Sequence, residues 1–154
     1  MKRCTIFAFI VLFLSKKLFA QSEEDKIKTV VTHLFSGMKT GDSALTRSAF
    51  SKNCIMQTIV NKNEKLSVRT EQIDDFIKFI GSPHKEKFDE RIVFSKILID
   101  GPLATVWTDY KFYIDDKFSH CGVNSFQLAK LDNRWQIVYL IDTRRKDNCS
   151  VLVK

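Results

Sequence analysis

The sequence predicts an α+β fold, with three N-terminal helices packed on a curved, six-stranded, mostly antiparallel sheet that wraps into a cone. Three observations carry this. Most of the apolar residues at helical spacing lie in the first half of the chain, everything from Arg91 onward reads as strand, and the strands are separated by turn pairs of hairpin length. The 154 residues suit one domain. With 44% hydrophobic and 28% charged residues, the chain is neither a disordered tail nor a polytopic membrane protein.

Residues 1–20 are of a different kind from the rest. Lys2 and Arg3 precede an unbroken apolar run from Ile6 to Leu14, and Leu18-Phe19-Ala20 then leads into Gln21. This is the pattern of a secretory signal peptide cleaved after Ala20. The run is too short for a bilayer, which takes roughly 20 residues as a helix. One domain from 21 to 154 is therefore expected, exported to the periplasm or the medium, with no membrane span once the leader is gone. Four of the 25 basic residues belong to the leader, which leaves 21 against 18 acidic side chains. Arg144-Arg145-Lys146 has no interleaved aromatic residues, so nucleic acid is not an expected partner.

In the mature chain, Ile27, Val30, Val31, Leu34, Phe35 and Met38 fall on one stripe of a helix over Glu23 to Lys39. Ser22 supplies its cap and Gly41 ends it. Asp42 or Ser43 opens a short second helix in which Leu45, Ala49 and Phe50 share a face. The branched segment Cys54 to Val60, the polar tract Asn61 to Glu64 and Leu66 to Arg69 read as a hairpin. Ile73, Phe76, Ile77 and Ile80 give a third helix, stopped by Gly81 and Pro83. His84 to Glu90 reads as a polar connection. Four strands follow, Ile92 to Ile99, Leu103 to Ile114, Phe118 to Leu131 and Trp135 to Thr143, divided by Asp100-Gly101, Asp115-Asp116 and Asp132-Asn133. Such a meander around a helix encloses a pocket at its open end. Cys54, Cys121 and Cys149 are odd in number and show no framework spacing, so buried thiols are expected in preference to a bridge.

This element order resembles the nuclear transport factor 2-like superfamily, the cone shared by SnoaL-like polyketide cyclases and ketosteroid isomerases. The resemblance is carried by Leu34-Phe35-Ser36-Gly37-Met38 with Gly41-Asp42, by Val106-Trp107-Thr108 with Tyr110 and Phe112-Tyr113, by Phe118 to Val123, and by Trp135 with Asp142 to Arg145. Within the superfamily the chain is similar to small exported bacterial proteins described as "putative lumazine-binding". The resemblance implies the fold and leaves activity open, because this cone hosts enzymes and inert binding modules alike.

Strand alternation places Thr108, Tyr110, His120, Asn124 and Tyr139 on the inward faces among aromatic residues, a lining suited to a flat, partly polar molecule. The expected partner is a small aromatic or heterocyclic compound, with no cofactor. His120 is the side chain suited to proton transfer near neutrality, and Asp142 could orient it or act as base. By parity, Asp142 and Arg144 fall on the face opposite Tyr139, at a rim or an interface. No acid appears on the inner faces, and His33, His84 and His120 are too scattered for a metal. Trp107, Asp109, Lys111 and Tyr113 share the outer face of one strand and suggest a homodimer surface. Three functions compete: a ligand-binding cone, a cofactor-free isomerase, dehydratase or hydrolase using His120 with Tyr110 or Asp142, and a dimeric interaction module with a filled cavity.

Overall fold

The computed structural model describes residues 22–62 and 65–149. The leader, its cleavage point, the Asn63-Glu64 tip of the first hairpin and the tail after Cys149 lie outside the described residues.

Capping residues set the helix ends. Ser22 Oγ accepts from Asp25 N–H at 3.0 Å and opens α1 (Glu23–Thr40), while Gly41 takes the left-handed φ of 71° that closes it. Asp42, and not Ser43, caps α2 (Ser43–Ser48) by accepting from Leu45 N–H at 2.8 Å. The hairpin is β1 (Phe50–Lys62) with β2 (Lys65–Glu71), and α3 spans Ile73–Gly81. The meander is β3 (Phe88–Asp100), β4 (Leu103–Ile114), β5 (Lys117–Leu131) and β6 (Arg134–Thr143). Asp115, Asp116, Asp132 and Asn133 all take positive φ. This is the conformation that lets a two-residue turn follow the twist of its strands, and Asp and Asn tolerate it best after glycine.

The sheet order is β2-β1-β6-β5-β4-β3. Every neighbour is antiparallel except β1 and β6, which run parallel. The sheet is curved and open, with β2 and β3 as its edges. Three bulges help to curl it: Ser95 in β3, Ser119 in β5 and Val138 in β6 are each an extra residue opposite a continuous partner. Each also reverses the inside-outside alternation beyond it.

The concave face holds α1. Ile27, Val31, Leu34, Val106, Phe126, Leu128 and Ile137 are at most 2% exposed and fill the closed end of the cone. Phe35 meets Phe126 edge-on, with ring centroids 6.2 Å apart. Glu23, at the start of α1, accepts from the Trp135 indole at 2.7 Å and pairs with Lys130 at 2.9 Å, which ties the helix to the β5–β6 end. α3 lies over the other end, where Phe76 packs edge-on against Phe50 at 6.4 Å.

The structure corrects two expectations. His84 to Glu90 is only partly a connection, because β3 begins at Phe88 and carries Glu90 into the sheet. Cys121 and Cys149 form a disulfide, which overturns the expectation of buried free thiols at these two positions. Their pairing became possible because the chain beyond β6 continues along β5 in the same register, where Cys121 and Arg145 exchange backbone hydrogen bonds of 2.8 and 2.9 Å. Cys54 stays a free, half-buried thiol, and burial pushes its pKa up to about 12.

Candidate functional site

Between α1, α3 and the concave sheet lies a cavity of about 580 Å³. One wall is apolar, with Leu34, Phe35 and Met38 from α1 and Phe76, Phe79 and Ile80 from α3. An aromatic run follows the sheet side inward from the exposed Phe79. It passes through Phe88 (5.4 Å), Phe112 (6.1 Å, stacked) and His120 (4.9 Å) to Tyr110 (5.7 Å).

At the inner end the polar groups converge. Glu90 comes from β3, Tyr110 from β4, His120 and Asn124 from β5, and Asp142 and Arg144 from the end of β6 and the residues after it. Asn124 Nδ2 donates to Glu90 Oε1 at 2.7 Å and contacts Thr108 Oγ1 at 3.3 Å. The Tyr110 hydroxyl donates to the Thr143 carbonyl at 2.8 Å, with Asp142 Oδ2 at 3.3 Å. Arg144 Nε holds the same Asp142 oxygen at 2.9 Å from an exposed position at the rim.

Gly122 makes this arrangement possible. A Cβ there would lie 1.8 Å from the Thr143 carbonyl oxygen, 2.7 Å from Tyr110 Cε1 and 2.8 Å from its hydroxyl. The β5–β6 ladder is interrupted at this point: Val123 N–H donates to Thr143 Oγ1 at 3.2 Å, and pairing resumes only at Cys121 and Arg145. The freed carbonyl of Thr143 reaches Tyr110 across the gap. The disulfide then pins the segment that carries Arg144 against β5.

The electrostatics follow from burial. Desolvation pushes the Glu90 carboxyl up to about 7; the Asn124 hydrogen bond and Arg144 oppose this, while Asp142 adds to it. Burial, assisted by Arg144 and Lys146, lowers the His120 pKa, so this ring is neutral at pH 7. Burial, with Glu90 and Asp142, raises the Tyr110 pKa well above the usual phenol range. A carboxyl that titrates near neutrality inside a cavity can accept or release a proton or hold a cation. Among the described residues, no three His, Cys, Asp or Glu side chains are grouped so as to hold a metal.

Of the residues expected from alternation, Tyr110, His120 and Asn124 line the cavity and two do not. Thr108 is fully buried behind Asn124. Tyr139 points away and donates to Gln57 Oε1 at 2.7 Å. The bulge at Val138 is the cause, since it turns Leu140, Asp142 and Arg144 inward and Tyr139 outward. Asp142 and Arg144 are therefore cavity residues, not groups on the opposite face. The expectation that no acid sits on the inner faces is wrong: Glu90 on β3 and Asp142 on β6 face the cavity, which Glu71 and Asp75 also line. Glu90 was recoverable, because Phe88, Glu90, Ile92 and Phe94 alternate as a strand face should. On the outer face, Trp107 is 46% exposed, Asp109 accepts from Ser95 Oγ, and Tyr113 lies under the Arg91 guanidinium at 4.1 Å. No described helix is long and apolar enough to cross a membrane.

Solved structures share this cone. A nuclear transport factor 2-like protein of unknown function from Shewanella baltica OS155 matches with a TM-score of 0.63 and 21% identity over 81% of this chain and 95% of its own. A similar protein of unknown function from Methylobacillus flagellatus KT matches with a TM-score of 0.59 and 22% identity over 81% and 95%. A domain of unknown function with a cystatin-like fold from Nostoc punctiforme PCC 73102 matches with a TM-score of 0.63 and 13% identity over 84% and 81%. At these identities the likeness concerns the fold alone. No curated protein matches the sequence. The profile of a family described as "Putative lumazine-binding" matches residues 22–140, from the cap of α1 through most of β6. With the nuclear transport factor 2-like cone observed and most of its length covered by that profile, the chain belongs to the family described as "Putative lumazine-binding".

Proposed function

We propose that this protein is an exported small-molecule-binding cone whose ligand occupies the aromatic-lined cavity between α1, α3 and the sheet. One observation carries the reading: a cavity of about 580 Å³ with an apolar wall and polar groups gathered at one end. This volume lies within the usual range for sites that take drug-sized molecules. A filled-cavity interaction module is disfavoured by the same volume. The family description points in the same direction, to a flat heterocycle.

A ligand that binds the native state alone raises its stability by about 2.7 kcal/mol at a hundredfold excess over Kd. Thermal denaturation with a panel of pterins and small aromatic compounds therefore tests the reading, and a panel that leaves the midpoint unmoved throughout contradicts it. Export is tested by mass spectrometry of the native protein, which should begin at Gln21; an intact Met1 in the membrane fraction would overturn it.

A second reading, a cofactor-free enzyme, is favoured by the Glu90 carboxyl with its pKa near neutrality beside Tyr110 and Asp142. Here Glu90 replaces His120 as the leading proton-transfer group, because His120 is held neutral and, among the described residues, is hydrogen-bonded to Ser119 alone. Turnover of any compound that binds, lost in Glu90→Gln, would support this reading over simple binding.

A further inference from the structure

We infer that the cavity selects an organic cation, an amine or protonated nitrogen heterocycle joined to an aromatic or alkyl body, with its charged nitrogen against Glu90. This deepens the proposed ligand-binding function and rests on it.

The charged groups lining the cavity are unbalanced. Among the described residues that line it, Glu71, Asp75, Glu90 and Asp142 are acids, and Arg144 is the one full-time base. Arg144 is engaged by Asp142 at 2.9 Å, and Glu71 has its own partner in Arg69 at 2.6 Å. Glu90 makes no direct ion pair among the described residues, and Arg144 acts on it only through space. Asn124 occupies its Oε1, and Oε2 has no hydrogen-bond donor among the described residues although the side chain lines the cavity. That oxygen faces the cavity, and a ligand N–H brought against it gains a charge-assisted hydrogen bond. The surrounding walls suit the same ligand. Phe88 and Phe112 lie between the rim and Glu90 on the aromatic run, and ring faces attract a desolvated cation. α1 brings only apolar side chains to the cavity, among them Leu34, Phe35 and Met38, so nothing on that wall repels a positive charge.

Proton linkage supplies an independent readout. The titratable and charged groups lining the cavity with Glu90 are Glu71 on β2, Asp75 on α3, Tyr110 on β4, His120 on β5, and Asp142 and Arg144 at and just after the end of β6, with Lys146 acting on His120 from further along the tail. Since Glu90 is half protonated near pH 7, a bound cation drives its proton off. Affinity for a cation then rises by about 25-fold between about pH 5.5 and about pH 7.5, the ratio of ionised fractions for a pKa of about 7. Protonation of His120 on the acid side acts in the same direction.

The test uses three probes of one shape: 4-phenylbutylamine, 4-phenylbutanol and 4-phenylbutanoate. Titration calorimetry of the mature protein at about pH 7.5 should show the amine binding at least about tenfold tighter than either of the others. In Glu90→Gln that preference should shrink to within about threefold while the alcohol binds as before. Calorimetry of the wild type at about pH 7, in buffers of differing ionisation enthalpy, should show release of about half a proton per amine bound. This arm needs no variant, so it decides the question even if Glu90→Gln does not fold. The inference is overturned if the alcohol or the acid binds as tightly as the amine, if Glu90→Gln keeps the preference, or if no proton is released. If none of the three probes binds, the inference is overturned, and the ligand-binding reading stands or falls with the panel of pterins and small aromatic compounds.

Discussion

Gly122→Ala is expected to be among the most damaging single-methyl changes in the molecule. The added Cβ would sit 1.8 Å from the Thr143 carbonyl oxygen, so that oxygen must retreat by more than about 1 Å to reach a tolerable contact. It cannot do so and keep its 2.8 Å bond from Tyr110, whose side chain is buried at 2% exposure. Overpacking costs about 1–3 kcal/mol and a stranded buried hydroxyl another 1–3. The expected loss is thus about 2–6 kcal/mol, which for a domain of this size lowers Tm by roughly 8–24 °C. Urea denaturation measures it directly. Tyr110→Phe separates the two contributions: in that background the hydroxyl is already gone, so Gly122→Ala should cost less by about the value of the lost hydrogen bond. A Gly122→Ala protein within about 0.5 kcal/mol of wild type would refute the reasoning.

Glu90→Gln should stabilise the protein above neutrality. The folded-state pKa of about 7 lies above the ordinary value of 4.5, so Glu90's contribution to stability is complete below about pH 4.5 and is lost as the pH climbs through 7. Glutamine keeps an acceptor for Asn124, and the difference in denaturation free energy between variant and wild type should grow to the order of 3 kcal/mol by about pH 8; a flat difference across that window would contradict the assignment. Cys149→Ser opens a 28-residue loop and should cost about 3–4 kcal/mol by chain entropy, with reductant having the same effect on the wild type and none on the variant. Sedimentation tests the outer face of β4: Trp107→Glu should convert a dimer to a monomer, and a wild type already monomeric at micromolar concentration would remove Trp107, Asp109, Lys111 and Tyr113 from an interface.

The helices and the meander were legible because their signals are local. Caps, stripe spacing and the Asp115-Asp116 and Asp132-Asn133 pairs each fix a conformation within a few residues. The cavity lining depends instead on parity, which must hold along a whole strand. From Ile137 to Ile141 both faces of β6 are apolar, so nothing in the pattern betrays the extra residue at Val138, and Tyr139 and Asp142 exchange sides. On β5 the bulge at Ser119 likewise turns Phe118 out to 46% exposure while His120 stays inside. Glu90 was masked by the charged stretch Lys85 to Arg91, which reads as a loop until Phe88 is seen to start the alternation. The Cys121–Cys149 pair depends on the path of the chain after β6, and spacing alone does not specify that path.

The central claim, that a small molecule occupies this cavity, is tested most directly by the side-chain signals of two residues in a nitrogen–proton correlation spectrum. The Asn124 amide lies at the polar end of the cavity, hydrogen-bonded to Glu90, and the Trp135 indole lies at the closed end of the cone, bound to Glu23. Titration with pterins, small aromatics and the phenylbutyl probes should move the Asn124 resonances saturably with at least one compound and leave the Trp135 resonance in place. If no compound moves Asn124, or if both signals drift together without saturation, the cavity is not a binding site.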